Sequence, residues 1–268
     1  MKRLVALLAV AACAAAVGLV TASAHSQRAA ALRVFRVTLA GENESPAADP
    51  VATGSATIRA RAGQARICYS LVARDLSGRA AAAHIHRGAA GTSGPIVIPL
   101  KTPNAAGKAR GCAKAKRTLV RAILKRPRRY YVNVHTREFL GGAIRGQLAG
   151  QRTTLGTILH LDLKGTSEPN ASGTAVLRIR KAAGLVCYRL RVAGVTLPTV
   201  AAHIHKGAAG TNGPVVVPFD APDADGTSSG CATATASVID DILASRAGYY
   251  VNVHTKDHPA GAIRAQLG

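Results

Sequence analysis

The chain repeats itself once, over a length that only a whole domain explains. Residues 84–95 read HIHRGAAGTSGP and residues 203–214 read HIHKGAAGTNGP, so ten of the twelve paired positions are identical. The two segments lie 119 residues apart. Solenoid repeats have much shorter periods, of roughly 20–50 residues. We therefore expect two copies of one domain, at residues 32–149 and 155–268.

Short alternating runs predict strands in each copy. Apolar Phe35, Val37 and Leu39 alternate with polar residues, and Gly, Pro and Asn separate such runs along the chain. A period of two is typical of half-buried strands. Residues 118–125 have the apolar spacing of a short helix, and the second copy repeats it before residue 245. We predict an all-β protein with seven or eight strands and one short helix per copy.

The first 24 residues predict a secretory signal peptide. Lys2 and Arg3 precede an apolar run over residues 4–20, and the small-residue triplet 22–24 follows. Two alternatives remain open: the run could persist as an anchor, or Cys13 could be lipidated and hold the protein to a membrane. No other stretch is long and apolar enough to span a bilayer. We expect a secreted or cell-surface protein, with membrane contact only through an uncleaved signal or a lipid anchor.

Four cysteines follow the predicted signal peptide. Cys68 and Cys112 are 44 residues apart, and so are Cys187 and Cys231. Four cysteines allow three connectivities, but a duplicated domain carries its own bond with it. We predict the bonds Cys68–Cys112 and Cys187–Cys231, each between neighbouring strands on an outer sheet face. Such bonds fit an oxidising compartment.

The net charge of +22 is concentrated in the first copy. Residues 25–150 contain 22 Lys and Arg against 5 acids, whereas residues 151–268 contain 11 against 8. The fold therefore does not need the charge. A segment over residues 108–130 has ten basic residues and no acid, and these are our candidate anion-binding residues: Lys108, Arg110, Lys114, Lys116, Arg117, Arg121, Lys125, Arg126, Arg128 and Arg129.

This basic segment suits several anionic partners. An anionic cell-surface polymer, an acidic lipid headgroup or nucleic acid could bind there, and a merely solvated basic face is the alternative. No aromatic side chains alternate with the basic ones, so we expect no specific recognition of nucleic acid. An anionic cell-surface polymer or an extracellular protein is the expected partner.

Histidines form the main candidate site. Side chains at i and i+2 of a strand share a face, so His84 and His86 point together, and the identical YYVNVHT segments place a third histidine on the outer side of its strand. Three imidazoles from two strands can bind zinc or copper. The candidate ligands are His84, His86, His135, His203, His205 and His254. The supporting side chains expected on the same face are Tyr131, Asn133, Arg145, Gln147, Tyr250, Asn252, Arg264 and Gln266.

Other roles for these histidines stay open. They could form a hydrogen-bonded network that fixes the turn at residues 88–94, or they could bind an organic or anionic ligand. No repeated nucleophile or acid pair lies beside them, so an enzymatic role has little support and no cofactor beyond copper or zinc is expected. The unrepeated histidines His25, His160 and His258 are predicted to be solvated.

The two copies resemble the CHRD domain, a module named for chordin. The segments LAGENESP, ICYSLVA, HIHRGAAGTSGP, YYVNVHT and GAIRGQL carry the resemblance, and both copies show it from end to end, apart from a short first loop in the second copy. The resemblance implies two immunoglobulin-like, Greek-key β-sandwiches and an extracellular binding or structural role. It implies no particular ligand.

A second resemblance concerns the histidines alone. An HIH strand ahead of a glycine turn, a later histidine and a nearby arginine are similar to the copper site of copper/zinc superoxide dismutases, which are also disulfide-bonded β-sandwiches. No equivalent of the zinc-bridging histidine or the zinc aspartate is present. The resemblance implies metal binding or redox chemistry as the alternative function, and gives little support to dismutase activity.

Overall fold

A computed structural model describes residues 32–268, so the predicted signal peptide, Cys13 and His25 lie outside the described residues. The first domain comprises β1 Leu32–Ala40, β2 Thr53–Arg61, β3 Arg66–Arg74, β4 Ala80–Arg87, β5 Ile96–Leu100, β6 Lys108–Lys114, α1 Arg117–Lys125, β7 Tyr130–Thr136 and β8 Ile144–Gln147. The second comprises β9 Thr157–Gly165, β10 Ser172–Arg180, β11 Leu185–Ala193, β12 Ala201–Lys206, β13 Val215–Phe219, β14 Thr227–Thr233, α2 Ala236–Ala244, β15 Tyr249–His254 and β16 Ile263–Gln266.

Each domain is one antiparallel sheet that folds over its own core. The strand order is β5-β4-β7-β8-β1-β2-β3-β6, and the second domain repeats it as β13-β12-β15-β16-β9-β10-β11-β14. The edge strands β5 and β6 lie close together, so the sheet is nearly closed. Pro99 and Pro218 lie in the edge strands β5 and β13, where a residue without an N–H is tolerated. The prediction of two tandem all-β domains is confirmed.

Alternation determines which side chains fill the core. Phe35, Val37 and Leu39 are all at most 5% exposed, as predicted for the inner face of the first strand. Helix α1 closes one end of this core with Val120 and Ile123, both fully buried. Truncating a buried side chain such as Ile123 to Ala typically costs about 2–5 kcal/mol. Within residues 32–268 no helix has the length and apolar character needed to cross a membrane.

Both predicted disulfides are present. Cys68 on β3 lies directly opposite Cys112 on β6, and Cys187 on β11 lies opposite Cys231 on β14. Each bond therefore joins neighbouring strands on the outer face of its sheet, as alternation predicts. Cys187 is nevertheless 1% exposed. Its cross-strand neighbour Arg178 is also buried and reaches Glu42 of the first domain.

Arginines of the second domain bind carboxylates of the first. Arg178 is fully buried and donates two hydrogen bonds to Glu42, at 2.7 and 2.8 Å, and a third to the carbonyl oxygen of Leu155. Arg189 donates to both oxygens of Asp49, at 3.2 and 3.3 Å. Removing one partner of such a buried pair leaves an uncompensated charge, so these contacts hold the two domains in one arrangement.

His160 also lies at this contact between the domains. The side chain is 59% exposed, in agreement with the prediction that it is solvated, but its Nε2 lies 3.0 Å from Asp75 of the first domain. The pairing could not be inferred from the sequence, because it depends on how the domains are placed.

Candidate metal centre

Two adjacent strands bring three histidines together in each domain. His84 and His86 lie on β4 and His135 lies on the neighbouring β7, where Ala82 is paired with His135 and His84 with Asn133. The intervening Ile85 is fully buried in the core, so it holds both flanking imidazoles on the opposite face. The predicted grouping of the three rings is present.

The ring nitrogens in the first domain lie within the reach of one ion. His84 Nδ1 is 3.2 Å from His135 Nε2, and one nitrogen from each of the three rings lies within 4.8 Å of the others. His86 Nε2 is buried and has no hydrogen-bond partner. A buried polar atom without a partner is costly, so this nitrogen is available to a ligand.

The second domain has the same arrangement. His205 Nε2 lies 3.4 Å from His254 Nε2, and the three ligand nitrogens of this cluster are again within 4.8 Å of one another. Here the buried nitrogen without a partner is His203 Nδ1. The cluster is therefore a property of the duplicated domain and not of one copy.

Backbone carbonyl groups fix the orientation of four of the six rings. His86 Nδ1 donates to the carbonyl oxygen of Gly94, and His135 Nδ1 donates to that of Leu140, both at 2.9 Å. In the second domain the corresponding bonds, from His205 to Gly213 and from His254 to Pro259, are also 2.9 Å long. A carbonyl oxygen only accepts, so in all four rings Nδ1 carries the proton and Nε2 keeps its lone pair. Metal-binding histidines are typically oriented in this way.

The resulting lone pairs face one another. In the second domain, the Nε2 atoms of His205 and His254 are both acceptors at 3.4 Å, so no hydrogen bond can form between the neutral rings. Two bonds of 2.0–2.1 Å to a tetrahedral zinc ion would separate their nitrogens by about 3.3 Å. The observed spacing of this pair is compatible with two ligands of one ion.

The surroundings favour the neutral form of four of these imidazoles. Burial lowers the pKa of His84, and the neighbouring His135 and His86 lower it further. Burial likewise lowers the pKa of His203, and His254 and His205 lower it further. Burial lowers the pKa of His254 too, although its bond to Pro259 acts in the opposite direction. Burial also lowers the pKa of His86, although its bond to Gly94 acts in the opposite direction. Only the neutral ring has a lone pair for a metal ion.

The predicted supporting side chains hold the glycine turn against this face. The Tyr131 ring stacks on His86 at 4.9 Å, and the Arg145 guanidinium lies 4.1 Å from the centre of the Tyr131 ring. Arg145 also donates to the carbonyl oxygens of Ala89 and Thr92 in the turn. The second domain repeats this stack with His205, Tyr250 and Arg264.

The remaining supporting residues are also in place. Gln147 Nε2 donates to the carbonyl oxygens of Gly88 and Arg128, and Gln266 makes the corresponding bonds to Gly207 and Ala247. Asn133 donates to the carbonyl oxygen of Gly141, and Asn252 to that of Ala260. The network that fixes the turn is thus present together with the convergent histidine nitrogens.

A carboxyl group that sequence reasoning missed lies close to this network in the first domain only. Glu44 follows a 3₁₀ turn at Gly41–Asn43, and burial raises its pKa to about 8 although nearby Arg145 acts to lower it. Its Oε1 and the Asn133 Oδ1 are both buried without a partner. The available signal was the longer first loop of this copy, residues 41–54. The shorter loop in the second copy also has a glutamate, Glu168, but it accepts a hydrogen bond from Thr255.

The ten predicted anion-binding residues are divided among a strand, a helix and the segments next to the helix. Three lie on β6, three on α1, and the others lie at the ends of α1 and in the turn after it. The three on β6 belong to a larger basic face, in which like charges of three strands lie side by side: Arg61 is paired with Arg66, and Arg66 with Lys114. We call this surface the outer basic face; its members are Arg36, Arg59, Arg61, Arg66, Lys108, Arg110 and Lys114.

Comparison with known proteins identifies the type of domain. A model of the CHRD domain family matches residues 35–148 and again residues 161–267. No curated protein matches the chain. No solved structure matches it either. The family match covers both histidine clusters and both disulfides.

Proposed function

The chain belongs to the CHRD domain family, and we propose that each of its two domains is an extracellular binding module for one transition-metal ion, zinc or copper. The observation that carries the proposal is the pair of convergent histidine clusters, whose orienting hydrogen bonds are the same in both domains. Two disulfides support an oxidising, extracytoplasmic location.

One set of donor atoms accounts for both clusters. His84 and His203 would bind through Nδ1, because His84 Nδ1 faces His135 and His203 Nδ1 is buried without a partner. The other four histidines would bind through Nε2, since their Nδ1 protons are donated to carbonyl groups. The site is copied with its hydrogen bonds, so the two ions would be held alike.

The donor set favours zinc or copper over calcium or magnesium. Imidazole nitrogen suits zinc and copper, whereas calcium and magnesium require oxygen ligands, and neither cluster contains a carboxylate. Three protein ligands leave a fourth position on a tetrahedral ion for water or another ligand. The bound ion could serve in metal storage, in stabilising the structure or in redox chemistry. All three roles require metal binding, which is what we propose.

The test is a metal titration of tag-free protein. Wild-type protein should bind two ions per chain, the His86→Ala variant one, and the His86→Ala/His205→Ala variant none. His160→Ala is the matched control, because it removes an imidazole that lies outside both clusters. Circular dichroism checks that each variant is folded. Absence of zinc and copper binding by the wild type, or retention of two ions by the double variant, would overturn the proposal.

A second candidate function is adhesion to an anionic polymer through the outer basic face of the first domain. Like charges directly opposite each other on neighbouring strands are destabilising, yet this face has seven basic residues and no acid. The corresponding face of the second domain binds carboxylates of the first domain through Arg178 and Arg180. The same positions in the first domain hold Arg59 and Arg61, which are exposed.

A further inference from the structure

The two domains differ in charge at one surface pocket, formed between the helix and the strand that carries the HxH motif. In the second domain, Asp241 on α2 occupies this place. Its Oδ2 accepts hydrogen bonds from Lys206 Nζ at 2.6 Å and from the Tyr249 hydroxyl at 2.5 Å. In the second domain, the carboxylate that pairs with Lys206 and Tyr249 thus comes from the same domain.

The first domain retains the donors but lacks the carboxylate. Arg87 and Tyr130 are paired across β4 and β7, as Lys206 and Tyr249 are across β12 and β15. At the position of Asp241, 119 residues earlier, the first domain has Ala122. A cavity of about 440 Å³ remains there, and it is lined by Arg87, Ala122, Lys125, Arg126, Arg129 and Tyr130.

This cavity is also much more basic than its counterpart. Four of its six lining residues are Lys or Arg, and none is acidic. At the positions of Lys125, Arg126 and Arg129 the second domain has Ala244, Ser245 and Gly248. Four like charges around one cavity repel one another, and a bound anion would relieve that repulsion.

We propose that this cavity in the first domain binds the phosphate group of an external ligand, at the place where the second domain holds its own Asp241 carboxylate. A carboxylate is balanced by one cation in the second domain, whereas four cations suit a group with two negative charges. Arginine donors in a planar fork match phosphate oxygens, and three of the four cations are arginines. The site is separate from the histidine clusters and does not depend on the proposed metal.

The test restores the carboxylate. Binding of inorganic phosphate and of glycerol phosphate to the full chain is measured by calorimetry at low salt, with acetate as the single-charge comparison. Ala122→Asp should weaken phosphate binding by at least about tenfold, because the new carboxylate would occupy the cavity and neutralise one cation. Ala106→Asp is the matched control: it introduces the residue found at the same turn of the second domain, Asp225, outside the cavity. It should leave the affinity within about twofold, since exposed charges are screened over distance.

Two more variants extend the test. One removes a cation from the cavity without adding an acid, and the other disrupts both histidine clusters. Arg129→Ala should also weaken phosphate binding, because it removes one of the four cations. The His86→Ala/His205→Ala variant should bind phosphate as the wild type does, which separates this site from the metal proposal. Equal weakening by Ala122→Asp and Ala106→Asp would show a response to net charge alone and overturn the proposal. So would wild-type protein that binds acetate as tightly as phosphate, or neither of them.

Discussion

Replacing Glu42 with Gln removes the charge that joins the two domains while keeping the shape of the side chain. Arg178 is fully buried, and its guanidinium group donates to both carboxylate oxygens of Glu42, whose side chain is 21% exposed. The arginine holds the pKa of Glu42 below its usual value, against the opposing effect of burial. The carboxylate is therefore charged at neutral pH, and its loss leaves a buried arginine without a counter-charge.

Breaking a buried ion pair by removing one partner costs about 3–5 kcal/mol. Because Glu42 is partly exposed, we expect Glu42→Gln to lower the free energy of unfolding by an amount near the lower limit, about 3 kcal/mol. For a chain of this size that corresponds to a fall of about 6–12 °C in the melting temperature. Calorimetry should show this loss in the transition that includes separation of the domains.

A double-mutant cycle separates the charge from the packing. The variant Glu42→Leu/Arg178→Met replaces the pair with apolar side chains and should recover most of the stability, because neither charge is then buried alone. The control Glu138→Gln neutralises an exposed acid of the first domain and should change stability by less than about 0.5 kcal/mol. If Glu42→Gln behaves like Glu138→Gln, the assignment of Glu42 and Arg178 as a stabilising contact between the domains is refuted.

Two further predictions concern the first domain. If its outer basic face binds an anionic polymer, replacing Arg59, Arg61 and Lys114 with Gln should reduce retention on an anionic resin. Retention of the wild type should also fall steeply as salt is added. Equal retention of the triple variant and the wild type, or binding that does not change with salt, would contradict the prediction. Glu44 has a pKa of about 8 in the folded protein, above its ordinary value, so the unfolded chain ionises first and stability falls as pH rises from about 4.5 to about 8. Glu44→Gln removes this loss, which is at most about 5 kcal/mol, and should therefore stabilise the protein at pH 8.5 but not at pH 4 in chemical denaturation experiments.

Much of the fold and of the site could be predicted, because the two-residue alternation of the strands shows which side chains share a face and the duplication shows which spacings recur. Alternation alone puts His84 and His86 on one face, and the copied spacing of 44 residues gives the disulfide partners Cys68 and Cys112. The adjacency of β4 and β7, which brings His135 to the site, depends on sheet order, and the sequence contains no local signal for it. From the sequence, this adjacency could only be assumed, because three histidines from two strands can bind one ion only if those strands are neighbours.

Features that depend on the placement of one element against another could not be predicted. The pairing of Glu42 with Arg178 joins residues of different domains, and it requires the longer first loop of one copy to meet the outer face of the other. Likewise, Ala122 becomes meaningful only when α1 is seen beside Arg87 and Tyr130. The charge of the 108–130 segment was evident, but its division between a strand, a helix and a turn was not.

The hydrogen-bond network by itself does not explain why each cluster has three histidines. His86 is sufficient to hold the turn through Gly94, and His135 is sufficient to hold its own hairpin through Leu140. His84 makes no hydrogen bond to a turn: its ring packs against the other two histidines, with its Nδ1 3.2 Å from His135 Nε2, and burial lowers its pKa, so its placement is not favourable for the charged form. This imidazole recurs as His203 with a buried nitrogen that lacks a protein partner, and the proposed metal site would give both rings a role as the third ligand of an ion.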